Sequence, residues 1–216
     1  MRVCHGAQCA ASGHGTLKPM PHLIGIGGPS GSGKSLLAAT LARRLSAPVI
    51  ALDSYYRDLS HLTLDERARV NFDEPAALEH ELIAGHLAVL GRGGEICVPV
   101  YDFATHCRSD AVQRVQAGDF AIIEGLFALN WPEIRRLLGT AVYVDTPDEI
   151  CFARRLERDM RERGRSEVSV REQYAATVRP MAALHVLPTR SVADIVVSGL
   201  QPVSLSAEIV IAHALG

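Results

Sequence analysis

The 216-residue chain has almost no surplus of charge: 22 lysines and arginines face 24 aspartates and glutamates, for a formal net charge of −2. A protein that holds nucleic acid by its phosphates needs an excess of cations, so nucleic acid is not an expected partner. No apolar run reaches the ~20 residues a membrane-spanning helix needs, and no membrane partner is expected either. Residues 1–20 lack the apolar core of a secretory leader and show no periodicity, and they read as a flexible extension. The five cysteines (Cys4, Cys9, Cys97, Cys107, Cys151) are scattered and odd in number. That counts against a disulfide framework and, with no leader, points to the reducing cytoplasm. Cys4, His5, Cys9 and His14 fit no common zinc spacing. There is no internal repeat, no low-complexity run and no linker, so residues 21–216 read as one domain. An apolar share of 48% and a charged share of 21% suit a globular fold with a substantial core.

What the chain does have is a glycine-rich stretch, Gly28-Pro29-Ser30-Gly31-Ser32-Gly33-Lys34-Ser35. It matches G-x-x-x-x-G-K-S, the phosphate-binding P-loop pattern. Glycines let the backbone turn tightly and aim its N–H groups at phosphate oxygens. Lys34 can reach the terminal phosphates, and the Ser35 hydroxyl can ligate Mg²⁺. Leu23–Gly27 reads as a buried strand leading in. Leu36–Leu45 reads as a helix leading out, its positive N-terminal end toward the phosphates. Gly28, Ser30, Gly31, Ser32, Gly33, Lys34 and Ser35 are therefore candidate nucleotide contacts.

Val49–Leu52 reads as a second strand, ending at Asp53. Function in open parallel α/β sheets collects at the carboxyl ends of strands, which makes Asp53 a candidate general base; the alternative is a capping or turn aspartate. Leu62–Val70 reads as a short charged helix, and Asn71-Phe72-Asp73-Glu74-Pro75 as a turn. Ala76–Leu90 reads as an amphipathic helix with Leu78, Leu82, Ile83 and Leu87 on one face. Glu95–Phe103 is extended and can pair with Val112–Val115, with Thr105-His106-Cys107-Arg108 between and Pro99 marking an edge. Residues 95–116 thus form a small β excursion outside the main sheet. Phe120–Glu124 and Ala141–Asp145 are further buried strands, and an acid such as Glu124 at a strand end can orient Mg²⁺ or its water. Pro147-Asp148-Glu149 opens a helix carrying Arg154, Arg155, Arg158, Arg161 and Arg163, followed by Gly164-Arg165. Such a run is either a solvated, salt-bridged face or a lid, over residues 151–168, that closes on a triphosphate. A helix over Val170–Leu187 interrupted at Pro180, a strand at Asp194–Val197 and a helix at Ser204–Leu215 complete the pattern. Five buried strands alternating with helices predict a three-layer α/β fold around a five-stranded parallel sheet with right-handed crossovers.

Several segments together resemble the uridine kinase (uridine–cytidine kinase) family. They are Gly27–Ser35, Asp53-Ser54-Tyr55-Tyr56, Asn71-Phe72-Asp73-x-Pro75, Pro99-x-Tyr101-Asp102-Phe103-x-x-His106-x-Arg108, Ile123-Glu124-Gly125, Val144-Asp145-Thr146, Arg154-Arg155-x-x-Arg158-Asp159-x-x-Glu162-Arg163-Gly164-Arg165, Gln173-Tyr174, Val178-Arg179-Pro180 and Ala193-Asp194-Ile195. They run in the family's order over residues 22–199. The tyrosine-bearing hairpin and the E-R-G-R segment distinguish this family from other P-loop kinases.

The resemblance implies a P-loop kinase that phosphorylates the 5′-hydroxyl of a pyrimidine ribonucleoside, uridine or cytidine, with ATP or GTP and Mg²⁺. It implies Asp53 as the general base, acting with Lys34 and Arg155, and Asp73 as the carboxylate that holds the ribose hydroxyls. Tyr101 and His106 would pack on and hydrogen-bond the pyrimidine, with Tyr56 near the same pocket. Arg155 would lie nearest substrate and phosphates, Arg158 and Arg163 over the triphosphate, and Arg165 and Gln173 toward the nucleoside. Ser35 and Glu124, with Asp53, would organise Mg²⁺. A cytoplasmic homotetramer serving pyrimidine salvage is implied as well. The sequence departs from the family pattern at Glu74, where many members have histidine, and at Leu200-Gln201-Pro202-Val203, near the expected site of the donor base. Two other readings are a phosphoribulokinase-like enzyme with a different acceptor and a catalytically silent nucleotide-binding regulator. The latter would be expected to lack Lys34, Asp53 or the lid arginines.

Overall fold

The computed structural model describes residues 20–216; the extension read over residues 1–20 lies, except for Met20, outside the described residues. The strands are β1 (His22–Gly27), β2 (Val49–Ala51), β3 (Glu95–Asp102), β4 (Cys107–Gln116), β5 (Phe120–Glu124), β6 (Thr140–Asp145) and β7 (Ile195–Ser198). The helices are α1 (Lys34–Leu45), α2 (Leu64–Ala68), α3 (His80–Leu90), α4 (Pro132–Arg135), α5 (Asp148–Arg163), α6 (Glu167–Gln173), α7 (Arg179–Met181) and α8 (Val203–Leu215).

Five strands form a parallel sheet in the order β2-β5-β1-β6-β7, and β3 and β4 pair antiparallel in a separate hairpin. The sheet strands read as nearly continuous apolar runs because both faces are covered. Their pleat sends alternate side chains into two cores. Leu23, Ala121, Ile123, Ala141 and Tyr143 enter one core, shared with α3, the hairpin and Phe127. Ile24, Ile26, Ile122, Val142 and Val144 enter the other, against Leu37 and Leu41 of α1 and Ala207 and Val210 of α8.

Four local expectations are corrected. Strand β2 stops at Ala51, and Leu52–Tyr55 form a 3₁₀ turn. The helix expected over Ala76–Leu90 is broken: Pro75–Ala77 form a 3₁₀ turn, Leu78 is extended and bridges Tyr56, and only then does α3 begin. Leu78 is 1% exposed, so its burial against Tyr56 outweighs the helical periodicity it appeared to continue. The return strand of the hairpin starts at Cys107 and not at Val112, because polar residues that face solvent can still pair along an edge. Pro180 does not interrupt its helix. Two π turns, Tyr174–Val178 and Ala182–Val186, flank α7 and carry the chain through to the 3₁₀ turn Leu187–Val192. Wider turns of this kind accommodate a residue that lacks an N–H and crowds the preceding turn.

Candidate active site

Strand order decides which loops meet. Strand β1 lies beside β5, and β2 lies on the other side of β5. In register, Ile26 sits next to Glu124 and Glu124 next to Ala51. The loop after β1, the acid ending β5 and the turn after β2 therefore emerge together, at the carboxyl ends of the strands. A cavity of about 360 Å³ opens there.

The loop from Gly28 wraps into α1, which begins directly at Lys34. Gly31 and Gly33 have φ of 82° and 105°, a left-handed backbone that favours glycine. A Cβ on Gly31 would also collide with the Cys151 carbonyl. Lys34 is 7% exposed, and its ammonium donates to the Pro29 carbonyl at 2.8 Å. Burial lowers its pKa, against the opposing pull of Glu124 and Asp53. Burial also raises the pKa of Asp53, opposed by Lys34, Arg163 and Arg158, and that of Glu124, opposed by Lys34. A carboxylate held above its ordinary range is a better proton acceptor near neutral pH.

The Ser35 hydroxyl donates to Glu124 Oε1 at 3.3 Å. Ser35, Glu124 and the electrostatically coupled Asp53 make an all-oxygen donor set, which suits Mg²⁺. Among the described residues no group of three or more His, Cys, Asp or Glu encloses a metal by itself. An ion here would thus be completed by phosphate and water.

The opposite wall of the cavity comes from the hairpin and the turn before α3. The Tyr56 ring lies 5.2 Å from Phe72 and 5.3 Å from Tyr101, centroid to centroid. His106, at the hairpin turn with φ 53°, stacks on Phe72 at 5.0 Å with 18° between the planes. Burial lowers the His106 pKa below the ordinary imidazole value, which favours the neutral ring, able both to donate and to accept. The Tyr56 hydroxyl donates to the Phe72 carbonyl at 3.2 Å, whereas the buried Tyr101 hydroxyl has no hydrogen-bond partner among the described residues. Asp73 borders the same cavity, 7% exposed. Thr177 donates to its carboxylate at 3.4 Å, and Arg155 Nη1 lies 3.8 Å away. Burial raises the Asp73 pKa while Arg155 opposes the rise.

Arg155 joins the two halves. One guanidinium nitrogen donates to Ser30 Oγ at 3.1 Å and another to Gln173 Oε1 at 3.1 Å. Arg165 donates to the same Gln173 oxygen and to Ser169 Oγ at 3.0 Å. The Arg163 guanidinium lies 5.9 Å from the centre of the Phe103 ring, tying the end of α5 to the hairpin. Among the described residues Arg161 pairs only with Glu157 and Glu162, on the solvent side, so the solvated-face alternative describes that residue. Arg154 departs from that alternative. It donates to the Gly199 carbonyl at 3.0 Å and reaches the Gly31 and Ser32 carbonyls at 3.5 Å. It borders both the main cavity and a second one of about 330 Å³, lined by Leu37, Val197, Leu200 and Gln201.

Of the residues given a nucleotide, nucleoside, metal or catalytic role in sequence, all but Gly28 and Ser32 line the main cavity. Those two shape the loop from behind. A Cβ on Gly28 would lie 2.6 Å from the Val144 carbonyl oxygen, and the Ser32 amide donates to the Pro29 carbonyl at 3.1 Å. Phe72, Phe103, Leu126 and Arg154 also line the cavity and were not assigned roles. Phe72 and Phe103 sit beside assigned residues in the quoted motifs, which could have flagged them; nothing local marks Leu126.

Residues 23–206 match the family model described as the phosphoribulokinase/uridine kinase family. The chain is 44% identical over 182 residues to a uridine kinase of Aliivibrio salmonicida, covering 81% of this chain and 85% of that one. A uridine kinase of Shewanella amazonensis is equally similar, at 44% identity over 182 residues, covering 81% and 86%. Among solved structures, a putative fructose transport system kinase from Silicibacter sp. TM1040 superposes with a TM-score of 0.66 at 24% identity, covering 83% of this chain and 91% of that chain. That likeness bears on the fold alone.

Proposed function

The chain belongs to the phosphoribulokinase/uridine kinase family, and on that premise we propose that it is a pyrimidine ribonucleoside kinase, transferring the terminal phosphoryl group of ATP or GTP to the 5′-hydroxyl of uridine or cytidine. The observation that carries this reading is the ring-lined wall of Tyr56, Phe72, Tyr101 and His106 beside the buried Asp73. Stacked rings suit a nucleobase, and a carboxylate suits a pair of ribose hydroxyls. A sugar phosphate would leave the stacked rings without a partner. The relatives named uridine kinase agree with it.

In this mechanism Asp73 accepts from the ribose hydroxyls and the aromatic wall packs the base, which directs the 5′-hydroxyl to Asp53. Asp53 takes the hydroxyl proton as the new O–P bond forms and the bond from the terminal phosphorus to the bridging oxygen breaks. Lys34, Arg155 and Arg158 stabilise the charge on the transferring group and on the departing diphosphate. Mg²⁺, held by Ser35 and Glu124 with Asp53 close by, would spread that charge further. The second cavity, between α1 and the segment after β7, is the place for the donor's base.

The test is a phosphoryl-transfer assay of the purified protein with ATP and GTP against uridine, cytidine, deoxycytidine and ribulose 5-phosphate. Uridine and cytidine are expected to be phosphorylated. A preference for ribulose 5-phosphate would replace the nucleoside reading. Asp73→Asn is expected to raise the KM for uridine by about 10- to 100-fold, the worth of a charge-assisted hydrogen bond, with a smaller change in kcat. It should also shrink the discrimination against deoxynucleosides; an unchanged KM would remove Asp73 from the ribose site.

A further inference from the structure

Asp159 is, among the described residues, the one carboxylate with no exposure to solvent. It lies behind the cavity wall, and the side chains around it are cationic. Its Oδ1 accepts from Arg158 Nε at 2.9 Å and Nη2 at 2.7 Å, and Arg163 Nη1 stands 3.6 Å from the same oxygen. Its Oδ2 lies 3.5 Å from Arg155 Nε and 3.8 Å from Arg165 Nη1. The Asp159 main-chain oxygen accepts from the amides of Gly164 and Arg165, closing α5 in a left-handed turn at Gly164. One helical residue thus faces arginines four before it, one before it, four after it and six after it.

All four of those arginines line the main cavity; Asp159 does not. Guanidiniums gathered this closely repel one another, and a buried carboxylate is costly without partners. Each requirement is met by the other. The pairing is also incomplete, since among the described residues Asp159 Oδ2 and Arg155 Nε have no hydrogen-bond partner. Asp73 also faces Arg155, at 3.8 Å, but two carboxylates do not neutralise four guanidiniums, so positive charge is left over on the cavity side.

The geometry points to Asp159 as the positioning residue of the site: it holds Arg155, Arg158, Arg163 and Arg165 as a preformed fan before the triphosphate arrives. Donors fixed in advance need no reorganisation as charge develops, which is where such groups contribute most to rate. The inference rests on the kinase reading for what the fan acts upon, and on the contacts above for how it is held. Bound triphosphate supplies the negative charge that Asp159 leaves unmatched.

A double-mutant cycle on the full chain tests this, with Asp159→Asn and Arg158→Gln made singly and together. The readouts are kcat per folded site and the Kd of a non-hydrolysable ATP analogue. Asp159→Asn is expected to lower kcat by about 100-fold without weakening the Kd, because total positive charge is kept and only its placement is lost. In the Arg158→Gln background the same substitution should cost about tenfold or less, since contacting residues couple. Equal costs in both backgrounds, or a kcat within about threefold of wild type, would overturn the proposal by making Asp159 an ordinary buried residue. Nitrogen-15 NMR of the ligand-free wild type reads the same point should the asparagine variant not fold. A resolved, slowly exchanging Arg158 Nε–H signal is expected, and a rapidly exchanging, averaged one overturns the proposal. If wild type phosphorylates none of the nucleosides, the kinase reading fails separately, because the NMR and the Kd need no acceptor.

Discussion

Replacing Asp53 by asparagine is expected to lower kcat by about 10²- to 10⁴-fold, the usual worth of a positioned general base, while nucleoside binding stays close to wild type. The substitution keeps the shape of the side chain and removes its ability to take a proton. Asp53 stands on the turn after β2, electrostatically coupled to Lys34 and across from the wall that would hold the acceptor. Burial raises its pKa above 3.8, so the acid limb of kcat/KM in the wild type should lie above the ordinary aspartate range. The residual activity of the variant should lack that limb. A kcat above a tenth of wild type, or an unchanged limb, would remove Asp53 as the base.

The same shift has a consequence for stability. Asp53, Asp73 and Glu124 all carry raised pKa values in the folded, ligand-free protein. The folded state therefore binds more protons than the unfolded chain between the ordinary values, 3.8 and 4.5, and the raised ones. Stability is fully present below the ordinary values and falls as pH rises through the raised ones. Thermal melts across pH should show this decline, and Asp53→Asn should flatten it.

Arg155→Ala is expected to reduce kcat/KM by about 10³-fold, as for arginines that stabilise charge in phosphoryl transfer. It should also cost stability, about 3 kcal/mol, at the lower end for breaking a buried ion pair. The low end applies because Asp159 keeps three other guanidiniums while Asp73 loses its nearest cation. Lysine should not restore activity. A single ammonium cannot donate to Ser30 and Gln173 at once in the geometry of the planar fork. Urea unfolding and steady-state kinetics separate the two effects, and a loss in kcat/KM below tenfold would place Arg155 outside the reacting site.

Much of this site was legible because its residues sit in short motifs whose chemistry is local. Gly28–Ser35 needs its glycines and lysine at fixed spacing to wrap a phosphate, and Asp53 and Glu124 each follow a short apolar run that reads as a buried strand. The arginines were harder to sort. Arg154 and Arg161 occupy the same helix and carry the same charge, yet Arg154 reaches the P-loop carbonyls and Gly199 while Arg161 meets only surface glutamates. Charge and spacing do not record which side of α5 faces the loop. Leu78 shows the converse. Its apolar spacing continues the pattern of α3, but pairing with Tyr56 takes it out of the helix.

Taken by itself, the sequence determined the parallel α/β fold and the phosphate-loop pattern and singled out the candidate side chains, because apolar runs, glycine spacing and turn residues act over a few neighbours. Tertiary structure alone decided their company. The order β2-β5-β1 brought Asp53 and Glu124 beside Lys34, the hairpin brought its aromatic residues into the cavity that Asp73 borders, and the burial of Asp159 gathered four arginines from α5 and the turn beyond it. The first two encounters depend on strand order and on packing between segments far apart in the chain; the third joins residues within six positions of Asp159, and what the tertiary structure adds there is the burial that turns this face of α5 toward the cavity.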